Sequence, residues 1–122
     1  MDKKILIIDD EKEICESMAA YLNENGYPTF YATSGAEGLK LIEKEGPHLL
    51  FLDIRMPKMD GAEVLKELNA RFPNLVIIVN SGAQDAEIAK KVIELGVCEY
   101  VSKPIHMESL MKNYVRPILG PP

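Results

Sequence analysis

Five short apolar runs alternate along the chain with segments of helical periodicity, and this alternation limits the possible folds more than any other feature. The apolar runs cover residues 4–8, 28–32, 49–52, 75–79 and 97–101. Helical segments are predicted at 11–23, after Ser34, at 62–70, at 84–95 and from 107 onward. Apolar strands that alternate with helices are typical of a parallel sheet covered on both faces. The sequence therefore predicts one α/β domain over residues 1–122, with a doubly wound sheet of five strands and five helices.

Polar residues stand directly after four of the predicted strands. Asp9 and Asp10 follow the first strand, Asp53 the third, Ser81 the fourth and Lys103 the fifth. Taken singly, each residue has an ordinary interpretation: Asp9 and Asp10 could cap a helix, Asp53 could belong to a turn, and a loop hydroxyl and a solvated surface charge are the simpler interpretations of Ser81 and Lys103. Because parallel strands end at one edge of a sheet, where ligands bind in such folds, we expect them to converge on one cleft.

Three carboxylates in one cleft repel one another unless a cation accompanies them. Oxygen ligands without His or Cys favour Mg²⁺, which retains waters and often accepts phosphate oxygens as further ligands. A lysine and a hydroxyl beside such an ion suit a phosphoryl group, and a carboxylate can accept one as an aspartyl-phosphate. The pattern thus favours phosphoryl transfer to Asp53, with Mg²⁺ as the cofactor.

Four segments resemble the receiver domain of bacterial two-component response regulators, including single-domain receivers of the chemotaxis and sporulation type. They are ILIIDDE at 5–11, LDIRMPKMDG at 52–61, SG at 81–82 and YVSKP at 100–104. The resemblance covers essentially the whole chain. It implies a flavodoxin-like sheet with strand order 2-1-3-4-5, and a phosphohistidine of a sensor kinase or a phosphotransfer protein as the donor.

The resemblance also implies roles for single residues. Asp53 is implied as the phosphoacceptor, Lys103 as the partner of a phosphoryl oxygen, Ser81 as a hydrogen-bond donor to phosphate and Tyr100 as the aromatic residue that changes rotamer on activation. The implied Mg²⁺ ligands are Asp9 (through water), Asp10, Asp53 and the backbone carbonyl of Arg55. Pro104 is implied to follow a cis peptide bond that turns Lys103 into the pocket. Phosphorylation would then alter the face formed by the helix at 84–95, the fifth strand and the last helix.

Three consecutive positions depart from the family pattern. Ser81 and Gly82 stand where Thr and Ala are usual, so the hydroxyl is kept while the backbone gains freedom. Asn80 stands where an apolar strand residue is more usual, and a polar strand end is the simpler interpretation.

Other functions are less well supported. The net charge of −5 argues against a nucleic-acid surface, and no apolar run is long enough for a membrane span, so a cytoplasmic location is expected. A phosphohydrolase would need a second acid two residues after the nucleophile, where Arg55 stands. A scaffold that binds partners without phosphorylation remains the main alternative, although the complete set of acidic, hydroxyl and lysine residues argues against it.

The last helix and the two cysteines leave smaller questions open. The final apolar stripe, which includes Met111 and Tyr114, is compatible either with core packing or with contact to a target protein. The sequence likewise leaves open whether the domain is free-standing or joined to an output domain. Cys15 and Cys98 are expected to be reduced packing residues.

Overall fold

The computed structural model describes residues 3–53, 61–82, 94 and 99–122, without the side chains of residues 61–63 and 81. Five parallel strands form one sheet in the order β2-β1-β3-β4-β5. The strands are β1 (Ile5–Ile8), β2 (Thr29–Ala32), β3 (Leu49–Leu52), β4 (Val76–Ser81) and β5 (Glu99–Ser102). The predicted doubly wound sheet and the order implied by the resemblance are confirmed.

Four helices lie within the described residues. They are α1 (Lys12–Glu24), α2 (Gly35–Glu45), α3 (Gly61–Arg71) and α4, which consists of the turns Met107–Leu110, Met111–Val115 and Arg116–Leu119. The predicted helix at 84–95 lies outside the described residues except for Glu94, which is helical. Ser34 caps α2 as predicted, since its hydroxyl accepts a hydrogen bond from the Glu37 N–H at 3.2 Å. None of the described helices is both long and apolar enough to span a membrane.

Alternate residues of each strand enter two separate cores on opposite faces of the sheet. On one face, Leu52 and Val79 pack in a cluster with Ile42 of α2 and Leu65 of α3. On the other face, residues of the same strands pack against α1 and α4, and this cluster includes Phe51, Ile78, Cys15, Met18, Leu110 and Met111. The strands are therefore buried on both sides, as their continuous apolar runs predict.

Two predicted details are wrong, and the structure decides one question that the sequence left open. The fourth strand extends to Ser81, two residues beyond the predicted end, so Asn80 belongs to the sheet. On α2, the helical spacing predicts Ala36 on the inner face, but Ala36 is exposed and Gly38 faces the sheet instead. A Cβ atom at Gly38 would lie 2.3 Å from Cδ1 of Ile8, so the helix approaches β1 too closely for a larger residue. Met111, for which core packing and partner contact were both open, is only 2% exposed and packs in the core.

Helix α4 widens into a π-helical turn at Met111–Val115. Pro117 has no N–H group, and its ring would clash with the carbonyl of Asn113 in a regular α-helix. The Arg116 N–H instead donates to the Met111 carbonyl, five residues earlier. The wider turn therefore lets the helix continue through Pro117 to Leu119.

The segment after α4 folds back onto the edge of the sheet where the strands begin. The Tyr27 hydroxyl, at the turn before β2, donates a hydrogen bond to the Gly120 carbonyl at 2.6 Å. The Lys3 ammonium donates to the Pro121 carbonyl. A Cβ atom at Gly26 would lie only 2.8 Å from Cβ of Pro122, so the tail and this turn are in close contact. The C-terminal tail is thus attached at the opposite edge of the sheet from the predicted cleft.

Candidate phosphoryl-acceptor site

Three carboxylates meet where β1 and β3 end. The Asp53 N–H donates to the Ile8 carbonyl at 2.9 Å, so Asp53 continues the ladder between the two strands. Oxygen atoms of Asp9, Asp10 and Asp53 lie within 4.8 Å of one another. Asp9 is 0% and Asp53 4% exposed, whereas Asp10 is exposed. The fold therefore places two of the three carboxylates away from bulk water.

Lys103 supplies the positive charge of the pocket. Its Nζ atom lies 2.9 Å from Oδ2 of Asp9 and 3.0 Å from Oδ2 of Asp53. Glu11 is a more distant partner at 3.9 Å. Burial alone would lower the pKa of the ammonium, but the hydrogen bonds to Asp9 and Asp53 outweigh it and raise the pKa to about 12. Lys103 is therefore fully protonated at neutral pH.

The charge and donor chemistry of this pocket fit a divalent cation. Three carboxylates and one ammonium group leave a net charge of −2 when all are ionised. All three candidate ligands are carboxylate oxygens, which Mg²⁺ prefers, and exposed Asp10 leaves room for water ligands. Asp9, Asp10 and Asp53 could therefore hold Mg²⁺.

Two contacts that the sequence did not predict hold Asp9 in place. The Glu11 N–H donates to Oδ1 of Asp9 at 2.9 Å, which is the local turn that an aspartate before a helix often makes. The Cys15 thiol lies 3.3 Å from the Asp9 carbonyl and donates to it. The spacing from Asp9 to Glu11 could have indicated the first contact. The second depends on how α1 packs under β1, and no sequence pattern specifies it.

Cys15 is a packing residue, as predicted, and lies directly beneath the acidic pocket. It is fully buried and free of disulfide bonding. Burial, together with the nearby negative charge of Asp9, raises the pKa of its thiol to about 11. Cys15 is therefore a neutral thiol at physiological pH. Cys98 lies outside the described residues.

Tyr100 lies on the other face of the sheet and contacts the segment that follows β4. Its hydroxyl donates to the Gly82 carbonyl at 2.9 Å, and its ring packs half-buried against the cluster that contains Val79. The aromatic residue and the Ser81–Gly82 segment, which the resemblance links functionally, are thus in direct contact through the backbone.

The structure brings Asp9, Asp10, Asp53 and Lys103 together in one pocket, and the Lys103–Pro104 peptide bond is cis. Arg55 lies outside the described residues. Ser81 is the last residue of β4, but its side chain is not described, so its phosphate contact stays a prediction.

Comparisons with known proteins agree with this geometry. The family model for the response regulator receiver domain matches residues 5–115. Sporulation initiation phosphotransferase F of Bacillus subtilis is 33% identical over 118 residues, which cover 94% of this chain and 95% of that protein. A response regulator receiver domain protein (CheY-like) from Methanospirillum hungatei superposes with a TM-score of 0.89 at 30% identity, covering 97% of this chain and 94% of that one.

A further relative is longer than this chain. The alkaline phosphatase synthesis transcriptional regulatory protein PhoP of Bacillus subtilis is 41% identical over 108 residues, which cover 85% of this chain but only 43% of that protein. The chain belongs to the response regulator receiver domain family. It is thus a receiver domain of two-component signal transduction.

Proposed function

We propose that Asp53 accepts a phosphoryl group from a phosphohistidine of a sensor kinase or phosphotransfer protein, and that the domain acts as a signalling switch rather than as an enzyme. The observation that supports this most directly is the ammonium of Lys103, 3.0 Å from the Asp53 carboxylate in a pocket with two further carboxylates. A buried nucleophile beside a fixed positive charge suits the transfer of an anionic group.

The transfer exchanges one bond for another. An oxygen of Asp53 forms a bond to phosphorus as the bond from phosphorus to the imidazole nitrogen breaks, and that nitrogen keeps the electron pair. Lys103 lies close enough to offset negative charge on the phosphoryl oxygens. Bound at Asp9, Asp10 and Asp53, Mg²⁺ would supply the additional positive charge that the net charge of this pocket requires.

The assignment of the acceptor is tested with acetyl phosphate and Mg²⁺, followed by intact mass measurement. Wild type should gain one phosphoryl group, and Asp53→Asn should gain none because its amide is a poor nucleophile. Glu108→Gln, which removes an exposed carboxylate of α4, should be labelled like wild type. Labelling of Asp53→Asn at the wild-type rate would place the acceptor elsewhere.

The ion site is tested by thermal unfolding with and without Mg²⁺. The ion should stabilise wild type because it binds only the native arrangement of carboxylates. Asp10→Ala should remove most of that stabilisation while leaving the buried Asp9 and Asp53 intact. An equal Mg²⁺ effect in wild type and mutant would argue against these ligands.

A groove beside the pocket suits a protein donor. It has a volume of about 620 Å³ and runs from Ile14 and Met18 of α1 to Ile105 and Met107, with Lys103 at its edge. Ile14→Asp should therefore slow phosphorylation by a cognate kinase but leave phosphorylation by acetyl phosphate unchanged. Equal loss with both donors would indicate damage to the pocket rather than to a docking surface.

A further inference from the structure

Among the described residues, Asn80 is the buried polar residue near the pocket that the proposed chemistry does not use. It is 1% exposed, and its Oδ1 atom accepts no hydrogen bond among the described residues. A buried carbonyl oxygen without a donor is destabilising, so an apolar residue would be expected at this strand position. The presence of Asn80 here indicates that a hydrogen-bond donor reaches its amide oxygen in another state of the site.

The strand register places Asn80 between Asp53 and the strand that carries Lys103. Leu52 pairs with Val79, so Asp53 and Asn80 are the next neighbours along these strands, and Asn80 itself pairs with Val101. Alternation puts Asn80 on the face of Ile78 and Val101, away from Val79. Asn80 and Asp53 therefore share one face of the sheet, about 4.8 Å apart in strand spacing.

The Lys103 side chain has to cross β4 to reach its partners. Lys103 follows β5, whereas Asp53 and Asp9 follow β3 and β1, and β4 lies between β5 and β3. Its path therefore runs over the end of β4, where Asn80 lies.

The ammonium group and the amide oxygen complement each other. An ammonium group has three N–H donors, and those of Lys103 make two hydrogen bonds to described residues, Asp9 and Asp53. Phosphorylation would convert the Asp53 carboxylate into an acyl phosphate, with one of its oxygens bridging to phosphorus, so the ammonium would lose part of the negative charge that it contacts at Asp53. The amide oxygen of Asn80 then offers the ammonium a neutral hydrogen-bond acceptor along the path of the Lys103 side chain. Because this acceptor is uncharged, it does not repel the phosphoryl group.

We infer that Asn80 is a positioning residue for Lys103: its amide oxygen accepts a hydrogen bond from the ammonium when a phosphoryl group occupies the pocket. The inference rests on the proposed function, because it concerns the phosphoryl-bound state of the same site. It also accounts for a polar residue at a buried position of β4.

The test is a double-mutant cycle on the affinity for beryllofluoride, a phosphoryl mimic, measured by NMR titration in saturating Mg²⁺. Asn80→Leu keeps the size of the side chain and removes the acceptor. It should weaken beryllofluoride binding on the order of tenfold, the effect of one hydrogen bond to a charged group. In a Lys103→Met background the same substitution should have almost no effect, because the donor is gone.

Stability provides the independent readout. Asn80→Leu should unfold at the wild-type temperature or above it, since it removes an unpaired buried oxygen, so weaker binding cannot be attributed to damage. Asn80→Val serves as a second variant should leucine prevent folding. Ile78→Leu, on the same face of β4 but in the core, is the matched control and should bind like wild type.

The possible outcomes distinguish a failure of the role inferred for Asn80 from a failure of the proposed function. Unchanged binding in Asn80→Leu, or an equal loss with and without Lys103, would overturn the role of Asn80 while leaving the acceptor site intact. Failure of wild type itself to bind beryllofluoride would overturn the proposed function.

Discussion

Lys103 competes with any cation that enters the pocket, because its ammonium already contacts Asp9 and Asp53. Lys103→Met should therefore bind Mg²⁺ more tightly than wild type, on the order of tenfold, since a nearby like charge is removed. Isothermal titration calorimetry would measure the difference. Lys112→Met, which removes an exposed charge of α4, is the control and should change the affinity little. Weaker binding by Lys103→Met would mean that the ion does not share these oxygens.

Ionisation of Cys15 makes the stability of the fold depend on pH in the alkaline range. Its thiol pKa is about 11 in the folded protein against an ordinary 9.0, so the unfolded chain ionises first as the pH rises. The contribution of the Cys15 thiol to the free energy of unfolding is fully present below pH 9 and is lost between pH 9 and pH 11. The loss should be on the order of 3 kcal/mol, since each pKa unit corresponds to about 1.4 kcal/mol.

Urea unfolding of wild type and Cys15→Ala at pH 8 and pH 10.5 would measure this contribution. The difference between the two proteins should shrink at the higher pH, because alanine has no proton to lose. A difference that stays constant would show that the thiol pKa is the same in the folded and unfolded states.

The contact between α2 and β1 depends on Gly38. Gly38→Ala favours the helix by about 1 kcal/mol, but its new methyl group would lie 2.3 Å from Cδ1 of buried Ile8. Overpacking costs about 1–3 kcal/mol, so we expect a net loss on the order of 1 kcal/mol.

Chemical denaturation of a double-mutant cycle would test this contact. Ile8→Val removes the Cδ1 atom, so Gly38→Ala should cost less in that background than in wild type. Equal costs in the two backgrounds would show that Ile8 is not the residue that limits the approach of α2. Ala36→Gly, at an exposed position of the same helix, should lose only helix propensity.

The elements themselves were largely predictable, because apolar strands and amphipathic helices leave strong local patterns. Leu49–Leu52 was predicted to the residue, and the carboxylates after it and after β1 were correctly expected to converge. The predicted end of β4 was wrong, because Asn80 and Ser81 are typical of a loop but pair with β5. Tertiary pairing outweighs the local preference of such residues for turns.

The contacts between elements were not predictable from the sequence. Neither the hydrogen bond from Cys15 to the Asp9 carbonyl nor the one from Tyr100 to Gly82 follows a sequence spacing. Both depend on the distance between packed layers. Arg55 and the helix at 84–95 stay predictions, since they lie outside the described residues apart from Glu94.

The C-terminal tail joins the two ends of the described chain. Tyr27→Phe removes the hydrogen bond from the tyrosine to Gly120 and should cost about 1 kcal/mol, equivalent to a fall in melting temperature of about 4 °C. Phosphorylation by acetyl phosphate should be unchanged, because the tail contacts the other edge of the sheet. Tyr21→Phe is the control and should melt close to wild type.

Differential scanning calorimetry would measure the melting temperature, and the acetyl phosphate labelling assay would measure phosphorylation. A loss of labelling in Tyr27→Phe would mean that the two edges of the sheet are coupled. An unchanged melting temperature would mean that the tail contact adds nothing to stability.

The position of this tail also decides how the protein can be handled. A tether attached after Pro122 would start beside Gly26, at the strand beginnings, whereas Asp53 and Lys103 open at the strand ends. Molecules anchored to a sensor chip through that tether would present the acidic pocket to the flowing solution. A kinase could then be passed over the immobilised receiver without the anchor blocking its approach.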